Sequence, residues 1–130
     1  MIKQIKSSEI KNFIKENSNT VLLDVRNDNE LKSLGRPNAE DLNSVTYFVT
    51  VSPDLSNWQT PDPNFLENVK KKIDKEKTIL VMCAAGGRSM IAAGLLEAEG
   101  YSVLNVSDGF SGNGQDPGWK NLGLPSIIDN

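Results

Sequence analysis

The sequence predicts an α/β fold: one domain over residues 1–130, with a central parallel sheet flanked by helices on both faces. Three observations carry this prediction. Thr20–Val25 (TVLLDV) and Ile79–Met82 (ILVM) are apolar runs without the alternation of a half-solvated strand, as expected of strands buried on both faces. Helical stripes fall between and around them: Ile10, Phe13 and Ile14, then Phe65, Leu66, Val69 and Ile73. Strands alternating with helices through short connections make parallel pairs, with the crossover helices covering the faces.

Taken in order, Ile2–Ile5 is a short extended segment, and Ser8 caps a first helix that ends at Asn17-Ser18-Asn19. After the strand Thr20–Val25, Asn27 caps a short helix, NDNELKSL, which Gly35 and Pro37 stop. Val45–Val51 is a candidate strand. Pro53, Trp58, Pro61 and Pro63 mark a long irregular connection over residues 46–63, of the length that is often functional. Asn64 caps the next helix, with Lys70–Lys72 on a solvated face beside Asp74 and Glu76. Beyond the second apolar run come a strongly helical segment, Gly100 as its left-handed cap and Tyr101 as a landing contact. A strand at Val103–Val106 leads into the turn Asp108-Gly109 and Phe110. The Gly- and Asn-rich tail is pinned by Trp119 and Leu122.

Composition narrows the chemistry. A chain of 130 residues buries about two-thirds of its unfolded surface, so neither metal nor disulfide is needed to hold a core. A net charge of −3 argues against nucleic acid or an anionic membrane as partner. The absence of histidine removes every Ser-His or Cys-His dyad and every histidine metal site. The single cysteine, Cys83, removes an internal disulfide and fits a reducing, cytoplasmic setting. The first residues, MIKQIKSSEIKNFIKEN, carry no apolar signal region. No metal or other cofactor is expected.

The segment from Ile79 to Glu99, ILVMCAAGGRSMIAAGLLEAE, concentrates the remaining possibilities. Cys83 closes a buried strand; Ala84, Ala85, Gly86 and Gly87 form a tight turn of small residues; Arg88 and Ser89 open a helix. Residues without a Cβ can turn several N–H groups toward one point, and such a nest holds a thiolate, a persulfide or a substrate oxyanion. Arg88 stands where the helix dipole disfavours a cation. Its expected role is to close the loop through backbone carbonyls or to hold an incoming anion, with pairing to a nearby carboxylate as the plainer reading. Ser89 reads as a first-turn capping residue. Asp24, at the end of the first buried strand, reads as structural and paired with an arginine; Arg26 reads as its partner or as a rim charge. Trp58 is a candidate for rim packing.

CAAGGRS on a strand-to-helix turn resembles the active-site loop of rhodanese-like sulfurtransferases. LLDVRNDNE at Leu22–Glu30 resembles the family's N-terminal signature, and Gly100-Tyr101 through Asp108-Gly109-Phe110 the element that follows its catalytic helix. GWKNLGLP is similar to the ending of many single-domain members. One stretch departs: GRPNAED, at 35–41, stands where the family often has Gly-His-Ile-x-Gly-Ala. The resemblance implies a sulfurtransferase, with Cys83 as nucleophile and Ala84–Arg88 as the persulfide-binding loop. It implies a thiosulfate-like donor and a thiol, cyanide or sulfur-accepting protein as acceptor. Phosphatases related to this fold carry one more residue between cysteine and arginine than the four found here. A non-catalytic or carrier module that binds a partner protein is the alternative reading.

Overall fold

In the computed structural model, which describes residues 1–128, the two apolar runs become neighbouring central strands. These are β2 (Thr20–Asp24) and β5 (Thr78–Met82), paired in parallel with Val21 opposite Ile79 and Leu23 opposite Val81. β6 (Ser102–Val106) lies against β5, and β1 (Lys3–Ile5) against β6. β4 (Thr46–Phe48) closes the other edge, giving five parallel strands in the order β1-β6-β5-β2-β4. Residues 129–130, assigned to the domain by sequence, lie outside the described residues.

The two-residue period of the strands feeds two cores. Val21, Leu23, Ile79 and Val81 face Phe65 and Val69 of α3 (Phe65–Lys70) and Ala92, Ala93 and Leu96 of α4 (Gly87–Ala98). Leu22, Leu80 and Met82 face Ile10 and Ile14 of α1 (Ser7–Glu16), with Phe110 and Trp119, the latter in α5 (Gly118–Asn121). β2 and β5 are sandwiched, which is why neither alternates polar and apolar residues. Among the described residues, no helix is long and apolar enough to cross a membrane.

Several local expectations are corrected. Ser8 does not cap α1: the helix begins at Ser7, whose N–H and hydroxyl both donate to the buried Asp108 carboxylate at 2.9 Å. A carboxylate at a helix N-terminus satisfies an orphan donor and suits the dipole. The candidate strand Val45–Val51 pairs regularly only over Thr46–Phe48, although Val49 and Val51 still donate to the carbonyls of Asp24 and Val25. Leu122 is 41% exposed and pins nothing; Leu124 packs inward in its place, and the indole of Trp119 donates to the Pro125 carbonyl at 2.8 Å. Lys70 lies on the exposed face, as expected, and pairs there with Glu99 at 2.7 Å, at the far end of α4. The tail adds β7 (Ser126–Ile127), antiparallel to β3 (Arg36–Pro37), a pairing between distant parts of the chain that no local pattern announces.

Candidate active site

Parallel strands end on one rim, and there the loop after β5 meets the loop after β2. Cys83 follows Met82 directly and is 1% exposed. Two hydrogen bonds from the segment after β6 fix the loop's outward face: the Phe110 N–H donates to the Cys83 carbonyl at 2.8 Å and the Ser111 N–H to the Ala84 carbonyl at 2.9 Å. With those carbonyls engaged outside, the chain turns back at Gly86, whose φ of +100° suits only glycine, and the Gly86 N–H points at Cys83 Sγ, 3.1 Å away. Gly109 must also be glycine, because a Cβ there would collide with the Ala84 carbonyl.

Ser89 does not cap α4, whose N-cap is Gly86 with no side-chain capping bond; it serves the thiol instead. Its hydroxyl lies 3.3 Å from Cys83 Sγ, placed to accept from the thiol, and donates to the Asn105 side-chain oxygen. The Asn105 amide donates in turn to Gln4 at 2.9 Å and to the Gly86 carbonyl at 3.3 Å. A polar chain thus runs from the thiol through α4 and β6 to β1. Sequence reading missed Asn105, although its inward polar position in an otherwise apolar strand was a usable signal.

Arg88 closes on a carboxylate, the plainer of its expected roles, and not on backbone carbonyls. Its guanidinium donates to both oxygens of Glu30 in α2 (Asp28–Leu34), at 2.6 and 2.8 Å, with the two side chains only 10% and 15% exposed. Glu30 also accepts from the Asn27 N–H at 3.1 Å, so one carboxylate caps α2 and clamps the loop after β5. Asp24 and Arg26 form a second pair: Arg26 Nε and Nη2 bond the Asp24 carboxylate at 2.7–3.0 Å, and Nη2 also reaches the Gly35 carbonyl at 3.0 Å. The guanidinium lies over the Phe110 ring at 4.2 Å, and both side chains are fully buried. Arg26 is therefore no rim charge. Burial pushes the Asp24 carboxyl up against the opposing pull of Arg26.

The connection 46–63 is ordered by its own polar groups. Asp54 accepts from the Ser56 N–H and hydroxyl, at 3.0 and 2.6 Å, and fixes a 3-10 turn at Leu55–Asn57. The buried Ser52 hydroxyl donates to the Trp58 carbonyl at 2.6 Å. This sets Trp58 beside the loop, where an added Cβ on Gly87 would sit 3.6 Å from the indole ring. Leu55, Trp58, Cys83, Ala84, Ala85, Gly87 and Arg88 line a cavity of about 240 Å³. The buried Cys83 is part of its wall.

The chain matches the rhodanese-like domain over residues 7–115. It belongs to the rhodanese-like family. Over 126 residues it is 36% identical to an uncharacterized protein of Rickettsia prowazekii, covering 96% of this chain and 97% of that one. The crystal structure of a Mycobacterium tuberculosis protein superposes with a TM-score of 0.82 at 27% identity, covering 98% of each chain. The homodimeric polysulfide-sulfur transferase of Wolinella succinogenes shares the fold, with a TM-score of 0.66 at 24% identity over 99% of this chain and 80% of that one. The segment LLDVRNDNE contributes Asp24, Arg26 and Glu30, the last two bonding to different partners.

The Glu30–Arg88 clamp makes stability depend on pH. Burial pushes the Glu30 carboxyl up, but hydrogen bonds from Arg88 and Asn27, with the charge of Arg88, outweigh it and hold Glu30 below its ordinary 4.5. A carboxylate so depressed stabilises the fold above its unfolded pKa and loses that contribution as pH falls through the lower folded value. In urea titrations, the stability gap between wild type and Glu30→Gln should be full near neutrality and shrink in acid below 4.5. A gap that widens in acid would contradict the clamp.

Proposed function

We propose that this protein is a sulfurtransferase in which Cys83 carries sulfane sulfur as a persulfide. The observation that carries the reading is the Gly86 N–H directed at Cys83 Sγ, 3.1 Å away, at the floor of a cavity. In the first half-reaction the Cys83 thiolate attacks the outer sulfur of a donor. With thiosulfate, the donor S–S bond breaks, sulfite leaves with the electron pair, and Cys83–S–S⁻ remains. In the second, a thiol, cyanide or protein thiolate attacks the outer sulfur and Cys83 leaves as thiolate. No step needs a histidine, a metal or a second cysteine. N–H groups of Ala84–Arg88 stabilise the negative outer sulfur, as an oxyanion hole stabilises oxygen. Ser89 orients Sγ, Glu30 holds Arg88, and Trp58 shields the persulfide from water. A cytoplasmic, reducing setting suits a lone free thiol.

Intact mass after incubation with millimolar thiosulfate, and separately with an organic hydrodisulfide, tests this. Wild type should gain one sulfur atom from at least one donor, lose it to a reductant, and show ping-pong kinetics with cyanide. Cys83→Ser should gain none. Sulfur retained by that variant, or none taken up by wild type from either donor, would refute the assignment.

A further inference from the structure

Resting on the persulfide reading, we infer that the donor this cavity selects is an organic hydrodisulfide, R–S–SH with an apolar R group, and not the thiosulfate dianion. Two observations carry the inference, one of charge and one of surface.

Arg88 is the one charged residue among the described residues lining the cavity, and its charge is already spent. Both its terminal nitrogens bond Glu30, at 2.6 and 2.8 Å, in a nearly buried two-point pair. The other arginine near this rim, Arg26, is fully buried against Asp24. A dianion entering here would lose much of its hydration and meet no uncompensated cation, which is unfavourable. Backbone N–H groups suffice for one negative sulfur; they are a poor substitute for cations around a sulfonate.

The remaining walls are apolar. Leu55 and Trp58 stand at the mouth, 48% and 39% exposed, and Ala84, Ala85 and the Gly87 backbone continue inward to the thiol. A small apolar group seated on the indole and the Leu55 side chain would direct its terminal sulfur toward Cys83. The step balances: the Cys83 thiolate attacks the outer sulfur of R–S–SH, that S–S bond breaks, and R–S⁻ leaves with the electron pair. The product is Cys83–S–SH, and no external oxidant is consumed. The leaving thiolate bears a single charge and stays against Trp58 until it departs.

The experiment compares kcat/KM for thiosulfate and for freshly prepared benzyl hydrodisulfide, with cyanide as the common acceptor. Wild type should favour benzyl hydrodisulfide. Glu30→Gln keeps an oxygen to cap α2 but frees the charge of Arg88. It should raise the thiosulfate-to-hydrodisulfide ratio roughly ten- to hundredfold, the scale of one hydrogen bond to a charged group. Trp58→Ala, on a loop outside the sheet, should raise KM for benzyl hydrodisulfide roughly tenfold, the scale of removing one aromatic ring from an apolar pocket. Wild type that prefers thiosulfate, or a ratio unmoved in both variants, overturns the donor assignment and leaves the persulfide reading standing. Sulfur accepted from neither donor overturns both.

Discussion

Arg26→Met should destabilise the fold by about 3–5 kcal/mol, the range for removing one partner of a buried ion pair. That is a large part of the roughly 5–15 kcal/mol that holds a domain of this size. The destabilisation follows from what Arg26 leaves behind: a fully buried Asp24 carboxylate whose remaining hydrogen bond in the pair comes from the residue-26 backbone N–H, at 3.1 Å. The variant would also abandon the Gly35 carbonyl and the face of Phe110. The same physics makes the deficit depend on pH. Burial already raises the Asp24 carboxyl against the pull of Arg26, and without that pull the carboxyl rises further. A group raised in the folded state stabilises below its unfolded pKa and loses that contribution as pH climbs, so Arg26→Met should be least impaired in acid. Replacing both residues, Asp24→Leu with Arg26→Met, should recover most of the stability, because Arg26 Nη1 is buried without a hydrogen-bond partner. Urea unfolding of the three proteins between acid and neutral pH is the measurement. A single variant as stable as wild type at neutral pH would mean that the pair contributes nothing to the fold.

The parts legible in the sequence were those set by neighbours in the chain. Apolar runs at Thr20–Val25, broken by Asp24, and at Ile79–Met82 announced strands buried on both faces, because a half-solvated strand would alternate. Small residues after Cys83 announced a turn tight enough to bring an N–H onto the sulfur, and that hydrogen bond is present. Asp24 and Arg26 are two positions apart, so their pairing was within reach of local reasoning. Pairings across the sheet were illegible. Glu30 and Arg88 are 58 positions apart and meet because β2 and β5 are adjacent, which places the first turn of α2 opposite the loop after β5. Knowing that adjacency, a carboxylate in the first turn of α2 is the natural partner for a cation at an unfavourable helix start. Ser89 and Asn105 are likewise joined only through the packing of α4 on β6. Trp58 belongs to a segment whose turn depends on Asp54 and Ser52, residues that look like ordinary loop polarity until their partners are in place.

These long-range bonds share a purpose: each fixes one side of a loop that has little side-chain bulk of its own. Glu30 holds it through Arg88, Phe110 and Ser111 through two carbonyls, and Asn105 through Ser89 and the Gly86 carbonyl. Asp108 anchors the Phe110 segment by accepting from Ser7 and, at 3.0 Å, from the Gly118 N–H, so α1 and the tail also bear on the loop. The loop is held by support from outside, which is what the proposed persulfide cradle would need.

Gly86→Ala should test that rigidity most sharply, lowering the rate of sulfur uptake at Cys83 about 10²–10³-fold, the range for removing one N–H donor to a developing anion. Two effects act together. At φ +100° an alanine is strained, and its Cβ would collide with the Ser107 carbonyl oxygen. Ser107 has little room to retreat, since its N–H bonds the Ile5 carbonyl at 2.9 Å and its own carbonyl accepts from Asn113 at 3.2 Å. The loop must give way instead, and the N–H directed at Sγ moves with it. Gly94, in the middle of α4, is the matched control: its α-carbon faces open space, so Gly94→Ala should keep full uptake and gain about 0.5–1 kcal/mol from helix propensity. Time-resolved intact mass with benzyl hydrodisulfide gives the rates, and thermal melts give the stabilities. If Gly86→Ala takes up sulfur as fast as Gly94→Ala, the Gly86 N–H is not what stabilises the persulfide.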